Sequence, residues 1–222
     1  MDFTPDDDHL AIVEAVDRVC ADFDDVYWAA RDERHEFPWD FYAAMAAGGW
    51  LGVAIPEQYG GGGRGITECA LVLNRVAASG AAMNGSSALH LTMFGLNPVV
   101  KFGSDRLKET FLPPAAAGDL HIAFGVTEPD AGTDTSRIST RAIDDGHGGF
   151  VVRGRKIWTS KALESEVCLL LARTDDPDPD DPRRRFDGLS LFLVDLDREY
   201  CDIAPIPKLG RNAVASCEVA YD

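Results

Sequence analysis

The 222-residue chain is expected to fold as an α+β protein of two domains, with an α-helical N-terminal domain over residues 1–118 and an antiparallel β-barrel domain over residues 119–222. Two observations lead there. As far as Gly118, apolar residues recur at helical spacing in successive stretches, none sustained as a coiled coil. Beyond Gly118 the pattern changes to short apolar and β-branched runs separated by turn residues, and closing such strands into a barrel would hide their edges. The length allows each domain a core of its own.

The helical elements follow in order. Residues 6–32 open with Thr4-Pro5 and acidic residues, which suit a helix N-terminus, and Leu10, Val13, Val16, Cys20 and Phe23 form the apolar stripe. A shorter helix over residues 38–47 ends at Gly48-Gly49. The glycine run at 60–63 lacks the Lys-Ser/Thr of a phosphate-binding P-loop, and no strand with Rossmann spacing leads into it; it reads as a connection. Further helices are expected over residues 66–82, broken at 80–87, and over 88–102, kinked near Gly95 and Pro98. A last one, over 106–111, is capped by Ser104-Asp105 and ended by Pro113-Pro114.

Strands are expected over residues 120–126, 150–160, 167–173, 189–195, 203–207 and 217–221, with a turn at 144–149. Residues 175–182 are too rich in Pro and Asp to pack, and they run into Arg183-Arg184-Arg185.

A formal charge of −16 argues against nucleic acid and against an anionic membrane surface as partners. No apolar run has membrane-spanning length and the acidic start lacks a signal-peptide pattern, so the expected location is cytoplasmic. The cysteines at 20, 69, 168, 201 and 217 are scattered among apolar neighbours and the histidines show no ligand spacing; no metal is expected.

Chemistry concentrates in two runs. In Phe124-Gly125-Val126-Thr127-Glu128-Pro129-Asp130-Ala131-Gly132-Thr133-Asp134 a short strand enters a loop. Gly132 permits close approach of a ligand, Pro129 sets a bend, and Thr127 and Thr133 offer hydroxyls beside free N–H groups. Such a loop suits phosphate or the polar edge of a heterocycle. In the second run a turn is expected at Arg153-Gly154-Arg155. Strand alternation then places Lys156, Trp158 and Ser160 on one face and Ile157 and Thr159 on the other. A flat aromatic beside a hydroxyl could flank a planar ring and hydrogen-bond an edge nitrogen. Taken singly, the pieces also suit a core Trp and an ordinary turn.

Together with Leu209-Gly210, these runs resemble the acyl-CoA dehydrogenase family, in order and over essentially the whole chain. The resemblance implies an FAD enzyme that removes a proton from the α-carbon of an acyl-CoA thioester and a hydride from the β-carbon. It places Phe124, Val126, Thr127, Gly132 and Thr133 along FAD, with Val126 and Thr127 at the ring and Thr133 near phosphate. Trp158 would lie beside the isoalloxazine, with Thr159 next to it. Ser160, often threonine in the family, would donate to N5. On the substrate side it implies Thr133, a helix carrying His90 and Phe94 along the acyl pocket, and one of the arginines at 183–185, represented by Arg184, at the coenzyme A phosphates. Core packing of Phe94 and a solvated arginine loop are the competing readings.

The family's fold also has a C-terminal helical domain that bears the catalytic glutamate. No counterpart is present, so the expected fold is a truncated one and the catalytic residue stays unassigned. Glu128, a carboxylate inside the motif, reads as structural. The implied partners are acyl-CoA, an acceptor of the electron-transfer-flavoprotein type, and further subunits. A non-catalytic flavin- or acyl-CoA-binding module is the alternative, and oxidases and flavin-dependent monooxygenases share the fold.

Overall fold

The computed structural model describes residues 5–178 and 180–222; Thr4 and Pro179, which enter the readings of the first helix and the acidic loop, lie outside them. The chain divides into two compact units, one reaching to His121 and including Lys208–Val214, the other formed by Ile122–Pro207 and Ala215–Asp222.

The first unit is helical. Where one helix is expected over residues 6–32 there are two, α1 (Asp7–Ala21) and α2 (Asp25–Arg34). Each begins on an aspartate: Asp6 accepts from the His9 N–H at 2.8 Å and Asp24 from the Tyr27 N–H at 2.9 Å. The second cap satisfies a donor at a new helix start, which favours a break over continuation. There follow α3 (Trp39–Ala47), α4 (Ile66–Ala78), α5 (Ala82–Gly95), α6 (Asn97–Phe102) and α7 (Asp105–Ala117).

The expected break at 80–87 is confined to residues 79–81, between α4 and α5, and the expected stop at Pro113-Pro114 is absent. Gly85-Ser86-Ser87 lies inside α5 and is buried. Its smallness serves close packing, since a Cβ on Gly85 would stand 2.6 Å from Ala81 Cβ and 2.8 Å from Val76 Cγ1. Helix α7 runs through Pro113 and Pro114 and stops at Gly118, where φ is 86°. Leu112, Ala115 and Ala116 are buried along it, and that burial outweighs the missing backbone donors.

The glycine run folds back on the chain: the N–H groups of Gly62, Gly63 and Arg64 each donate at 2.9 Å, to the carbonyls of Gly52, Ile55 and Val53. The core centres on Phe41, which meets Phe23 and Trp28 edge-on at 5.4 and 5.0 Å, and Val214 from the returning segment joins it. Among the described residues no helix is long and apolar enough to cross a membrane.

The second unit is a seven-stranded curled sheet with the order β1-β4-β2-β3-β7-β6 and β5 also on β4. Its strands are β1 (Ile122–Gly125), β2 (Arg141–Asp144), β3 (Phe150–Ser160), β4 (Val167–Arg173), β5 (Leu189–Asp195), β6 (Cys201–Pro205) and β7 (Ser216–Tyr221). The expected antiparallel sheet is in fact mixed. β1 runs parallel to β4, with Ile122 opposite Val167, and β2 meets β4 in a parallel bridge, whereas the other pairs are antiparallel. The long excursion after β1 makes this possible, because parallel neighbours need a crossover that a tight hairpin cannot give.

The turn at 144–149 joins β2 to β3, with Asp145 accepting from the N–H groups of His147 and Gly149. The turn expected at Gly154 does not form; β3 runs straight through it. Gly154 is required there for a different reason, a φ of 147° and a Cβ position only 2.6 Å from Thr140 Oγ1. Ala123, Cys168, Leu170, Cys217, Val219 and Tyr221 form the core of this unit.

Candidate functional site

β1 delivers Phe124 and Gly125 to the loop, and the loop closes on itself through Glu128 and Ala131, which exchange backbone hydrogen bonds at 2.9 and 3.2 Å. Its anchor is the Glu128 side chain, 5% exposed. That carboxylate accepts from the Ser139 N–H at 2.8 Å, the Ser139 hydroxyl at 2.7 Å, the Thr140 N–H at 2.9 Å and Lys156 Nζ at 2.9 Å.

Lys156, fully buried on β3, also donates to the Val126 carbonyl at 3.0 Å, and the Ile157 N–H donates to the Thr127 carbonyl at 2.8 Å. Burial pushes the Glu128 carboxyl up, but hydrogen bonds from Thr140, Ser139 and Lys156 outweigh it and hold it down at about 2. Burial pushes the Lys156 ammonium down, and Glu128 opposes the shift. A carboxylate so committed is a structural anchor and a poor proton acceptor.

Strand β3 then departs from simple alternation. Lys156 pairs with Val219 and Thr159 with Cys217, so β3 carries one residue more than β7 across this interval. That is a β-bulge, and Trp158 sits in it with φ at 62°. The extra residue reverses the facing of all that follows. Lys156 and Thr159 are therefore the buried residues, Trp158 is 55% exposed and Ser160 is half-buried. The expected grouping of Lys156 with Trp158 and Ser160 on one face does not hold. What the bulge does is free the indole from the core side of the strand while Ile157 bonds the loop.

The loop side is correspondingly open. Phe124, Gly132 and Thr133 are exposed, Val126 and Thr127 half-buried, and nothing lies within 4 Å of a Cβ placed on Gly132. Among the described residues the hydroxyls of Thr127, Thr133 and Ser160 and the N–H groups of Thr127, Gly132 and Thr133 make no hydrogen bond. Thr159 is different: its hydroxyl is buried and unpartnered opposite Cys217, toward the core of the unit. An exposed indole, free hydroxyls and free N–H groups beside an open glycine suit a planar, polar-edged group with a phosphate tail. The residues present thus fit a flavin nucleotide.

The expected substrate residues are placed separately. His90 and Phe94 belong to the first unit, on α5, with ring centroids 5.2 Å apart and His90 Nδ1 3.1 Å from the Ser86 carbonyl. Phe94 is 42% exposed and lines a cleft of about 430 Å³ with Ile66, Cys69 and Met93, and with Arg64 and Lys101 among its polar lining. Arg184, in the second unit, is held by Asp187 at 2.6 Å and Asp178 at 3.5 Å. Sequence reasoning missed Lys156 and Glu128 as a joined pair, because no local pattern links a loop carboxylate to a strand lysine 28 residues away.

The family model for the acyl-CoA dehydrogenase N-terminal domain matches residues 6–119, and that for the middle domain matches residues 123–222. The chain is 32% identical over 207 residues to acyl-CoA dehydrogenase FadE12 of Mycobacterium tuberculosis, covering 92% of this chain and 50% of that protein. It is 31% identical over 225 residues to benzylmalonyl-CoA dehydrogenase of Aromatoleum aromaticum, covering 100% of this chain and 56% of that one. The chain spans about half the length of the curated relatives it matches. Among solved structures, the glutaryl-coenzyme A dehydrogenase glutaryl-CoA complex superposes with a TM-score of 0.85 at 27% identity, covering 100% of this chain and 55% of that one. The FAD complex of PigA superposes at 0.89 with 26% identity, covering 100% and 57%.

Proposed function

Because the chain belongs to the acyl-CoA dehydrogenase family, we propose that it supplies the FAD-holding loop and strand, and an acyl-facing helix, of an enzyme that oxidises an acyl-CoA thioester between its α- and β-carbons. FAD, when bound, is the acceptor of the two electrons. The observation that carries this reading is the bulge at Trp158, which turns an indole outward beside a loop whose Thr127 and Thr133 hydroxyls and N–H groups have no partner among the described residues.

In this reading Phe124, Val126 and Thr127 border the ring, Gly132 and Thr133 approach the phosphates, Trp158 covers one side of the ring and the Ser160 hydroxyl donates to its edge. Thr159, buried, supports the strand from beneath. Phe94 and His90 present a partly apolar surface to the acyl chain. Arg184, already paired with two aspartates, reaches coenzyme A phosphates only by exchanging those partners. The substrate is an acyl-CoA, an electron-transfer-flavoprotein-type protein is the partner that would take up the electrons, and the setting is the cytoplasm, in an oligomer or beside a partner subunit. The base that takes the α-proton is none of the motif residues, since Glu128 is buried and fully hydrogen-bonded. That commitment also favours a second reading, a flavin- and acyl-CoA-binding module without dehydrogenation of its own.

Purification in the presence of FAD tests both. Retention of a yellow colour through gel filtration is expected, and bleaching on addition of acyl-CoA separates the enzyme from the binding module. A colourless protein that does not quench FAD fluorescence would refute both readings.

A further inference from the structure

We propose that Lys156 and Glu128 are positioning residues for the cofactor loop, aiming the Thr127 N–H at the edge of the bound ring. The inference rests on the FAD reading above and adds an atomic device to it. A trans peptide carries its C=O and the following N–H on opposite sides of one plane. Among the described residues there is no cis peptide bond, and Lys156 Nζ holds the Val126 carbonyl at 3.0 Å. The Thr127 N–H, in the same peptide, therefore points away from the buried ammonium, toward the open side of the loop, and it makes no hydrogen bond among the described residues.

Lys156 can hold that carbonyl only from a fixed place. Glu128 Oε1 fixes it at 2.9 Å, and Glu128 is in turn fixed by Ser139 and Thr140. The next peptide is locked as well, with the Ile157 N–H, beside the bulge, on the Thr127 carbonyl at 2.8 Å. Two consecutive carbonyls of the loop, those of Val126 and Thr127, are thus tied to β3. A buried ion pair is not in itself a strong source of stability, and an apolar pair of similar size can replace one without loss of fold. What the pair does at this point, in this proposal, is aim the loop. The ligand class served is a planar heterocycle with a hydrogen-bond acceptor on its edge.

The test uses the full chain and FAD. In the native protein, labelled with 15N-threonine, the Thr127 amide resonance is expected to shift on titration with FAD. The double variant Glu128→Gln/Lys156→Met, which keeps side-chain volume and removes both charges, is expected to keep its near-UV circular dichroism. It should bind FAD roughly tenfold more weakly, with the Thr127 shift lost. Unchanged affinity and an unchanged shift would overturn the assignment. If the double variant does not fold, Lys156→Met alone decides: it leaves Glu128 on Ser139 and Thr140 and removes only the donor to the Val126 carbonyl, so the roughly tenfold loss of affinity and the loss of the Thr127 shift should both remain. Native affinity with a native shift in that variant would mean that Lys156 is not the aiming group. Native protein that binds no FAD would refute the cofactor reading first, and this inference with it.

Discussion

A tryptophan in the left-handed region costs the backbone about 1–2 kcal/mol, which glycine would not incur. Trp158 carries that cost at φ 62° with more than half of its surface exposed. Strain and function can be separated there. Trp158→Gly is expected to leave the urea midpoint unchanged or raise stability by about 1 kcal/mol, while weakening FAD binding in a fluorescence titration. A fall in stability would instead make the indole a packing residue. Lys161, also left-handed at φ 64°, is fully buried. Burial brings its amine down from 10.5 to about 7, against the opposing pull of Glu164 and Glu166. The unfolded chain keeps that proton up to about pH 10.5, whereas the folded one gives it up above about pH 7. Over this window the unfolded state binds more protons, so stability should rise with pH, by up to about 1.4 kcal/mol per unit. Urea melts between pH 7 and 9 measure the slope, and Lys161→Met should flatten it.

At the scale of elements, strands β3, β4 and β5 occupy the residues that apolar alternation and turn chemistry indicate, 150–160, 167–173 and 189–195. The bulge within β3 could not be read in the same way. Which of Lys156, Ile157 and Trp158 turns inward is decided by Glu128, a partner 28 residues away, and local alternation contains no term for it. Glycine misled for a related reason: at 154 it marks a close backbone crossing, and at 85 a close helix packing, where composition suggests a turn and a break. The parallel pairing of β1 with β4 likewise depends on a crossover, which no single strand reveals. Gly154→Ala tests the crossing. The added methyl would meet Thr140 at 2.6–2.8 Å, at a φ of 147°, and should lower stability by about 2 kcal/mol or more. Gly132→Ala, with open space around it, should change the urea midpoint little. A tolerated Gly154→Ala would mean that β2 and β3 separate there at little cost.

For the whole molecule, the feature that composition hides most completely is the return of Lys208–Val214 to the helical unit. Nothing in its polar, glycine-containing sequence distinguishes it from a surface loop between strands. Its hold is specific nonetheless. Asp32 on α2 accepts from the Asn212 N–H and, at 3.4 Å, from its side-chain amide. Arg211 donates to the Ser87 hydroxyl at 2.8 Å, and Lys208 Nζ ties the segment's own carbonyls at Arg211 and Val214. Val214 itself is fully buried in the cluster that holds Trp28 and Phe41. A helical unit made only of the residues before β1 would lack that plug, so its core depends on chain that lies beyond β6 in sequence. Val214→Ala should therefore destabilise the helical unit by about 2 kcal/mol, the transfer and cavity cost of two buried methyl groups. In a Trp158→Phe background the remaining tryptophans, Trp28, Trp39 and Trp50, all belong to the helical unit, and their emission reports its unfolding alone. An unshifted tryptophan transition in that variant would show that the segment rests on the helices without supporting them.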